Sequence, residues 1–354
     1  MRVLVINPGS TSTKIAVFES EKEIYLKNIK HSSEKISKYD KITDQYKFRK
    51  DTILEELKKA EFTLDTIDCI VARGGLVKPI PSGIYLVNEK MKKDLREGVI
   101  GEHASNLGGL IADDIAKSLQ GVNAYIVDPV VVDEMQDVAR ISGHPKFERL
   151  SIFHALNQKA IARIHTKSVG KSYEDLNLIV VHMGGGISVG AHRKGKVVDV
   201  NQALDGEGPF SPERSGTLPS RALAEFCFSG EYTLAQVKKM ITGQGGFVAY
   251  FGTNDAREIE LRVKKDDKKA KLIQDAMSYQ IAKEIAAASA VLKGQVDAIL
   301  LTGGLANNTL VVDYIKDMVS FIAPIKVYPG EDEMKAMAMN GFMVLRGEVK
   351  ASEY

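Results

Sequence analysis

The sequence is poor in the residues that staple or anchor a fold from outside. Only two cysteines, Cys69 and Cys227, occur in 354 residues, and they form no CxxC pair. A disulfide framework and a cysteine-based zinc site are therefore not expected. Tryptophan is absent and proline is limited to 10 residues. The chain shows no low-complexity segment and no short tandem repeat. No apolar run reaches the roughly 18 residues that a bilayer span needs. The opening MRVLVINPGS lacks the plan of a signal peptide, so a soluble, cytoplasmic protein is expected. Charge of one sign is also scarce: 48 basic against 46 acidic residues give a net charge of +2. That balance carries no polyanion signal, and neither nucleic acid nor a membrane is an expected partner. The basic cluster at 262–271 reads as a solvated helix face. What remains is an ordinary globular composition, 44% hydrophobic, of a length that suggests about two domains.

The stretch 180–190, VVHMGGGISVG, organises the rest. An apolar strand meets His182, then Gly184, Gly185 and Gly186, then a second short strand. Without Cβ atoms, glycines let backbone N–H groups approach an anion closely. A near-copy of this layout opens the chain at 3–18, VLVINPGSTSTKIAVF. There Ser10, Thr11, Ser12 and Thr13 stand beside Lys14, a set that suits phosphate oxygens and equally a hydroxyl-rich hairpin turn. The P-loop pattern GxxxxGK[ST] is absent, and a strand follows where that motif needs a helix. Two strand-turn-strand units about 180 residues apart suggest duplication, with a nucleotide between two lobes. In the second lobe, strands at 178–181, 187–190 and 197–200 followed by helices give the layout of ribonuclease-H-like lobes.

Further candidates follow along the chain. The strand 67–72 ends in Arg73-Gly74-Gly75, where an arginine can meet an anion or simply sit exposed at a turn. The stretch 83–87 reads as a further strand. His103, ahead of a helix at 110–119, is compatible with ligand contact and with helix initiation. The strand 124–127 ends at Asp128-Pro129, where open α/β folds put metal and phosphate chemistry and where Asp also makes turns. Asp133 and Asp137 are weaker candidates nearby. A helix is expected at 151–164. The Gly- and Pro-rich stretch 203–220 is too specific for a flexible linker, and its Arg214 is free to reach a ligand. Helices are expected at 50–59, 221–227, 234–241 and 266–293. The strand 296–301 ends in Thr302-Gly303-Gly304 before a helix at 309–319. Glu331, Asp332 and Glu333 read as the acidic start of a last helix, which offsets the dipole.

In this order and spacing, INPGSTSTK, ARGG, HMGGGIS, PERSGTLP and LTGGLANN resemble the acetokinase group of the actin, Hsp70 and sugar-kinase superfamily, over nearly the whole chain. The resemblance implies an α/β fold of duplicated ribonuclease-H-like (actin-like ATPase) lobes. Each lobe would carry a mixed five-stranded sheet, with the nucleotide cleft between them. The expected lobes are 1–170, joined by the C-terminal helix 334–354, and 171–333. The implied reaction is reversible phosphoryl transfer between ATP and a short fatty acid. Butyrate is preferred in this reading, with isobutyrate, valerate and propionate as alternatives. An actin- or Hsp70-like conformational ATPase is the alternative of another class.

Residue by residue, the resemblance implies that Asn7, Ser10, Ser12 and Lys14 form a first phosphate loop. His182 with Gly184, Gly185 and Gly186 would form a second. Arg214, His182, Asp128 and Arg73 would be catalytic. Asp255 and Arg257 would contact nucleotide, and Gly303, Gly304 and Asn307 would hold adenosine. Glu333 and Asp128 would hold Mg2+, and His103 would lie near the substrate. One departure from the acetate kinase pattern stands out. The position of its substrate arginine, three before His-Gly-Gly, holds Ile70, and Arg73 replaces that His. A rebuilt acyl pocket follows from this. The family also implies a homo-oligomer, a dimer or larger even assembly.

Overall fold

The computed structural model describes residues 1–39 and 41–354. The chain divides into two compact units, Met1–Val132 with Asp332–Tyr354, and Asp133–Glu331. The division thus falls after Val132, whereas the sequence suggested 170. The reason is the helix Ala155–Ser168, which packs on strands of the second unit. The second boundary falls between Glu331 and Asp332, inside the acidic triplet.

The first unit carries a six-stranded sheet. Its strands are β1 (Arg2–Pro8), β2 (Ser12–Glu19), β3 (Lys22–Lys30), β4 (Cys69–Arg73), β5 (Ile84–Leu86) and β6 (Asn123–Val127), in the order β3-β2-β1-β4-β6-β5. Strands β1 to β3 are antiparallel, β1, β4 and β6 are parallel, and β5 returns antiparallel on β6. The sixth strand, beyond the five expected, is the stretch seen in the sequence at 83–87.

The second unit has β7 (Asn177–Met183), β8 (Ile187–Arg193), β9 (Lys196–Val200), β10 (Ala298–Gly303) and β11 (Ile325–Pro329), in the order β11-β10-β7-β8-β9. Here β7 to β9 are antiparallel and β7, β10 and β11 parallel. Apart from β5, the two sheets have one topology. The turn after β1 therefore corresponds to the turn after β7, and the end of β4 to the end of β10.

Both sheets are covered on two faces, so their central strands read as unbroken apolar runs. In β1 and β4, Leu4, Ile6, Ile70 and Ala72 share a core with Leu107 and Ile111 of the helix Asn106–Lys117. Val3, Cys69 and Val71 point the other way, against Gly341 of the helix Glu333–Leu345. Burial pushes the Cys69 thiol up to about 12, and Cys227 is exposed. In β7, Ile179, Val181 and Met183 meet Met277, Ile281 and Ile285 of the helix Lys268–Val291. Leu178 and Val180 face Ala162 of Ala155–Ser168. The long helix is shorter than 266–293 at both ends for one reason. Asp266 and Lys293 take left-handed φ of 61° and 56°, which a continuing helix cannot accept. Its N-cap is Asp267, whose side chain accepts from the Ala270 amide at 3.0 Å.

Candidate active site

Parallel strands release their side chains at their carboxyl ends, and in the first unit three such ends are adjacent. Asn7 ends β1, Arg73 ends β4, and Asp128 follows β6, whose Val127 lies opposite Arg73. Glu333, the first residue of the last helix, joins two of them. Its Oε2 accepts from Asn7 Nδ2 at 2.9 Å and from Arg73 Nη1 at 2.7 Å. The acidic triplet therefore has divided roles. Asp332 is the actual cap, accepting from the Lys335 amide at 3.2 Å, while Glu333 ties Asn7 to Arg73. Ile70 lies three residues inside β4 and is fully buried, so it has no access to a ligand.

Asp128 is buried, and its Oδ1 accepts from Ser82 Oγ at 2.7 Å and from the Gly83 amide at 2.8 Å. It holds a left-handed φ of 36°, a strain on the order of 1–3 kcal/mol for a residue with a Cβ. His103 is exposed, and its Nδ1 bonds Ser105 Oγ at 2.8 Å just before the helix Asn106–Lys117. Asp133 makes a two-pronged ion pair with Arg140 at 2.6 and 2.7 Å, and Asp137 begins a one-turn helix. In the first turn, Ser10 and Lys14 are exposed, Ser12 is half-buried, and Lys14 lies opposite Asn7 across β1 and β2.

In the second unit the turn 184–186 is enclosed by side chains. His182, 2% exposed, stacks on His154 with ring centroids 3.8 Å apart. Its Nδ1 bonds Asn157 Oδ1 at 2.8 Å and its Nε2 lies 3.1 Å from Glu331 Oε1. His154 Nδ1 in turn bonds Ser188 Oγ at 2.9 Å. Gly184 sits beside Glu331, and Gly185 beside Glu213. The closest approach is at Gly186, where a Cβ would meet Arg214 Nη1 at 1.8 Å. Only glycine lets that guanidinium lie on the turn.

Arg214 Nη1 donates to the Ala203 carbonyl at 2.6 Å, and its Nε is buried with no hydrogen-bond partner. Burial lowers the Arg214 pKa, against the upward pull of Glu213 and Asp205. The loop that carries it is anchored to the turn itself. Ser211 Oγ donates to the Gly185 carbonyl at 2.5 Å and accepts from the Arg214 amide at 3.2 Å.

A pocket of about 550 Å³ lies in the same unit, lined by Arg257, Glu260, Lys264, Gly304, Asn307 and neighbours. It brings together three of the five residues expected to hold the nucleoside, Arg257, Gly304 and Asn307. Gly303 shapes one wall from behind. Its φ is 90°, and a Cβ there would lie 2.3 Å from the Met183 carbonyl. Asp255 is not among the lining residues. It caps the helix Ala256–Lys264, accepting from the Arg257 amide at 2.9 Å. Among the described residues no group of three or more His, Cys, Asp or Glu forms a metal cluster.

Sequence reasoning missed His154, Asn157, Glu331 and Arg49. His154 was hidden because a helix was expected over 151–164, whereas the helix begins at Ala155 and leaves His154 at its mouth. Glu331 was read as part of the acidic start of a helix, with no link to His182. Arg49 fell outside the helix expected at 50–59, which in fact spans Tyr46–Lys59. Its signal was present: Arg49, Ile53 and Leu57 follow at intervals of four, on one buried face.

The family model described as the acetokinase family matches residues 148–328. Butyrate kinase 2 and butyrate kinase 1 of Clostridium acetobutylicum are 60% and 58% identical over 353 residues, each alignment covering 100% of this chain and 99% of the relative. Among solved structures, Porphyromonas gingivalis acetate kinase superposes with a TM-score of 0.80 at 19% identity, over 97% of this chain and 99% of that one. A propionate kinase from Francisella tularensis gives 0.76 at 20% identity, over 96% and 98%. At such identities the structural likeness speaks for the fold alone, two mixed sheets of the actin-like ATPase type. The end-to-end sequence identity speaks for more: the chain belongs to the acetokinase family.

Proposed function

We propose that this chain transfers a phosphoryl group reversibly between ATP, as its magnesium complex, and the carboxylate of a short fatty acid, with butyrate preferred. The observation that carries the reading is Arg214. A half-buried guanidinium with a buried, unpartnered Nε, held on Gly186 by one carbonyl, is built to receive a planar or trigonal oxyanion. The name of the Clostridium acetobutylicum relatives supports butyrate as the acid.

The carboxylate attacks the γ-phosphorus in line while charge spreads over the equatorial oxygens, so positioning and charge stabilisation supply most of the catalysis. Arg214 takes those oxygens, and His182 reaches them by exchanging the Glu331 contact at its Nε2 for phosphate. Glu331 and Asn157 fix the His182 ring in plane, and His154 backs its face. In the first unit Asn7, Ser10, Ser12 and Lys14 are the residues suited to phosphate oxygens, and in the second unit the turn 184–186. Arg257, Gly304 and Asn307 hold the adenosine. Arg73, oriented by Glu333, aligns the carboxylate. Asp128 and Glu333 would hold magnesium, which would offset charge on the nucleotide phosphates. The nucleophile is already ionised at pH 7, so no general base is required, and Asp128 serves as a metal or positioning residue.

Phosphorus NMR of enzyme with ATP, magnesium and butyrate tests the reading. An acyl phosphate resonance that grows only when all three are present is the expected result. Loss of ATP to inorganic phosphate with no acyl phosphate would overturn it in favour of a conformational ATPase.

A further inference from the structure

The first turn has an internal support that the reaction scheme leaves unused. Arg49, on the helix Tyr46–Lys59, is 1% exposed. Its Nη1 donates to the Gly9 carbonyl at 2.7 Å, and to the Ser12 carbonyl and Thr13 Oγ1 at 3.2 Å each. Its Nη2 donates to the Ser10 carbonyl at 3.0 Å, and both Nε and Nη2 donate to Gln45 Oε1. The last carbonyl of the turn, Thr11, accepts from the His31 amide at 2.8 Å. Every carbonyl from Gly9 to Ser12 is thus drawn to the protein side.

Two features go beyond a scaffold. First, all Arg49 partners are neutral, so its charge is buried without a carboxylate on its hydrogen-bonding atoms. An uncompensated buried guanidinium is costly, and burial lowers its pKa to about 10. A positive centre behind a hydroxyl-rich turn recovers part of that cost when an anion sits on the other side. Second, the neighbouring histidine is kept neutral. Thr13 Oγ1 accepts from Arg49 and also bonds His31 Nε2 at 2.8 Å. Burial and the Arg49 charge hold the His31 pKa down to about 4, so it does not compete as a second cation.

We propose that Arg49 is a positioning residue for nucleotide binding, fixing the carbonyls of the first turn and placing an unneutralised positive charge behind it for the phosphates. The inference rests on the kinase reading above. All Arg49 donors are used within the protein, so it acts through the turn and does not touch substrate.

Two variants test it, each with wild-type enzyme run alongside. Gln45→Glu keeps the hydrogen-bond geometry but gives the guanidinium a carboxylate. A purely structural Arg49 predicts unchanged or higher Tm and an unchanged KM for ATP. The proposal predicts the same Tm behaviour with KM for ATP raised roughly tenfold, the scale of cancelling a unit charge near a polyanion, and with KM for the acid unchanged. Arg49→Lys, which retains charge but satisfies fewer carbonyls, raises KM for ATP less than Arg49→Met. Leu57→Ala on the same helix face lowers Tm and leaves both KM values unchanged. An unaltered ATP KM in folded Gln45→Glu and Arg49→Lys overturns the proposal while wild type still makes acyl phosphate. Wild type that makes none overturns the kinase reading. In that case the same variants are read by ADP affinity in calorimetry, where unchanged Kd again sinks the role of Arg49.

Discussion

An arginine that keeps a buried nitrogen unbonded in the free protein is destabilising until something fills the gap. Arg214 is such a residue, with its Nε orphaned and its guanidinium resting on Gly186. In the proposed reaction the missing partner is the transferred phosphoryl group. Truncation should therefore cost turnover far more than stability. Arg214→Ala is expected to lower kcat on the order of 10²-fold or more, the scale of losing a transition-state donor, with Tm near or above wild type. Steady-state kinetics and thermal melts on one preparation measure both. Near-wild-type turnover would remove Arg214 from the chemistry. Arg214 was visible in the sequence because a structured Gly- and Pro-rich loop presented it. The role of Gly186 was visible only in part. Its lack of a Cβ was read as access for an anion, but the structure gives that space to the arginine.

Among the elements, the helix Ala256–Lys264 joins stability to the nucleoside pocket. Its N-cap, Asp255, accepts from the Arg257 and Glu258 amides, and Arg257 lines the pocket two residues on. The family resemblance implied that Asp255 contacts the nucleotide, whereas the geometry makes it a cap. The two roles separate by substitution. Asp255→Ala removes about 1 kcal/mol of capping, roughly a fivefold change if all of it reaches Arg257, and should raise KM for ATP by up to that factor. Asp255→Ser, which restores a cap but no carboxylate, should recover most of it. A serine variant as impaired as alanine would return Asp255 to the ligand.

Element existence was legible because buried strands and capped helices leave strong patterns: β1, β4, β7 and β10 each carry an unbroken apolar run, VLVI, CIVA, LIVV and AILL. Helix starts were less so. Those at Tyr46 and Ala155 were displaced by four residues each, since neither has a side-chain cap. The two displacements concealed Arg49 and His154.

For the whole molecule, acid should erode stability in two stages. His31, His165 and His192 all have pKa values lowered by burial, His31 to about 4. Between about 6.5 and 4 the unfolded chain binds protons that the folded chain refuses, so stability is full above 6.5 and falls as pH drops through this window. Carboxylates with depressed values, such as Asp94, Asp114 and Glu174, act in the same direction only below about 4.5. Tm should therefore decline between pH 6.5 and 4.5, ahead of these depressed carboxylates, with the raised pKa of buried Glu284 opposing part of the fall. His31→Gln should flatten that decline, and an equal slope in this variant would show that His31 is not among its sources.

The duplicated plan was legible at this scale, because two Gly- and hydroxyl-bearing turns repeat about 180 residues apart. The domain boundary was not. A helix read from the sequence does not reveal which sheet it will cover, and Ala155–Ser168 covers β7 and β10.

The most direct measurement compares acetate, propionate, butyrate, isobutyrate and valerate side by side, with ATP and magnesium, trapping acyl phosphate as the hydroxamate. Each methylene in an apolar pocket changes specificity by about 1–3 kcal/mol. The highest kcat/KM is expected on the four- and five-carbon acids, with acetate one or more orders of magnitude lower. A preference for acetate would contradict an acyl pocket rebuilt at Arg73, and hydroxamate from none of the five acids would contradict the carboxylate kinase itself.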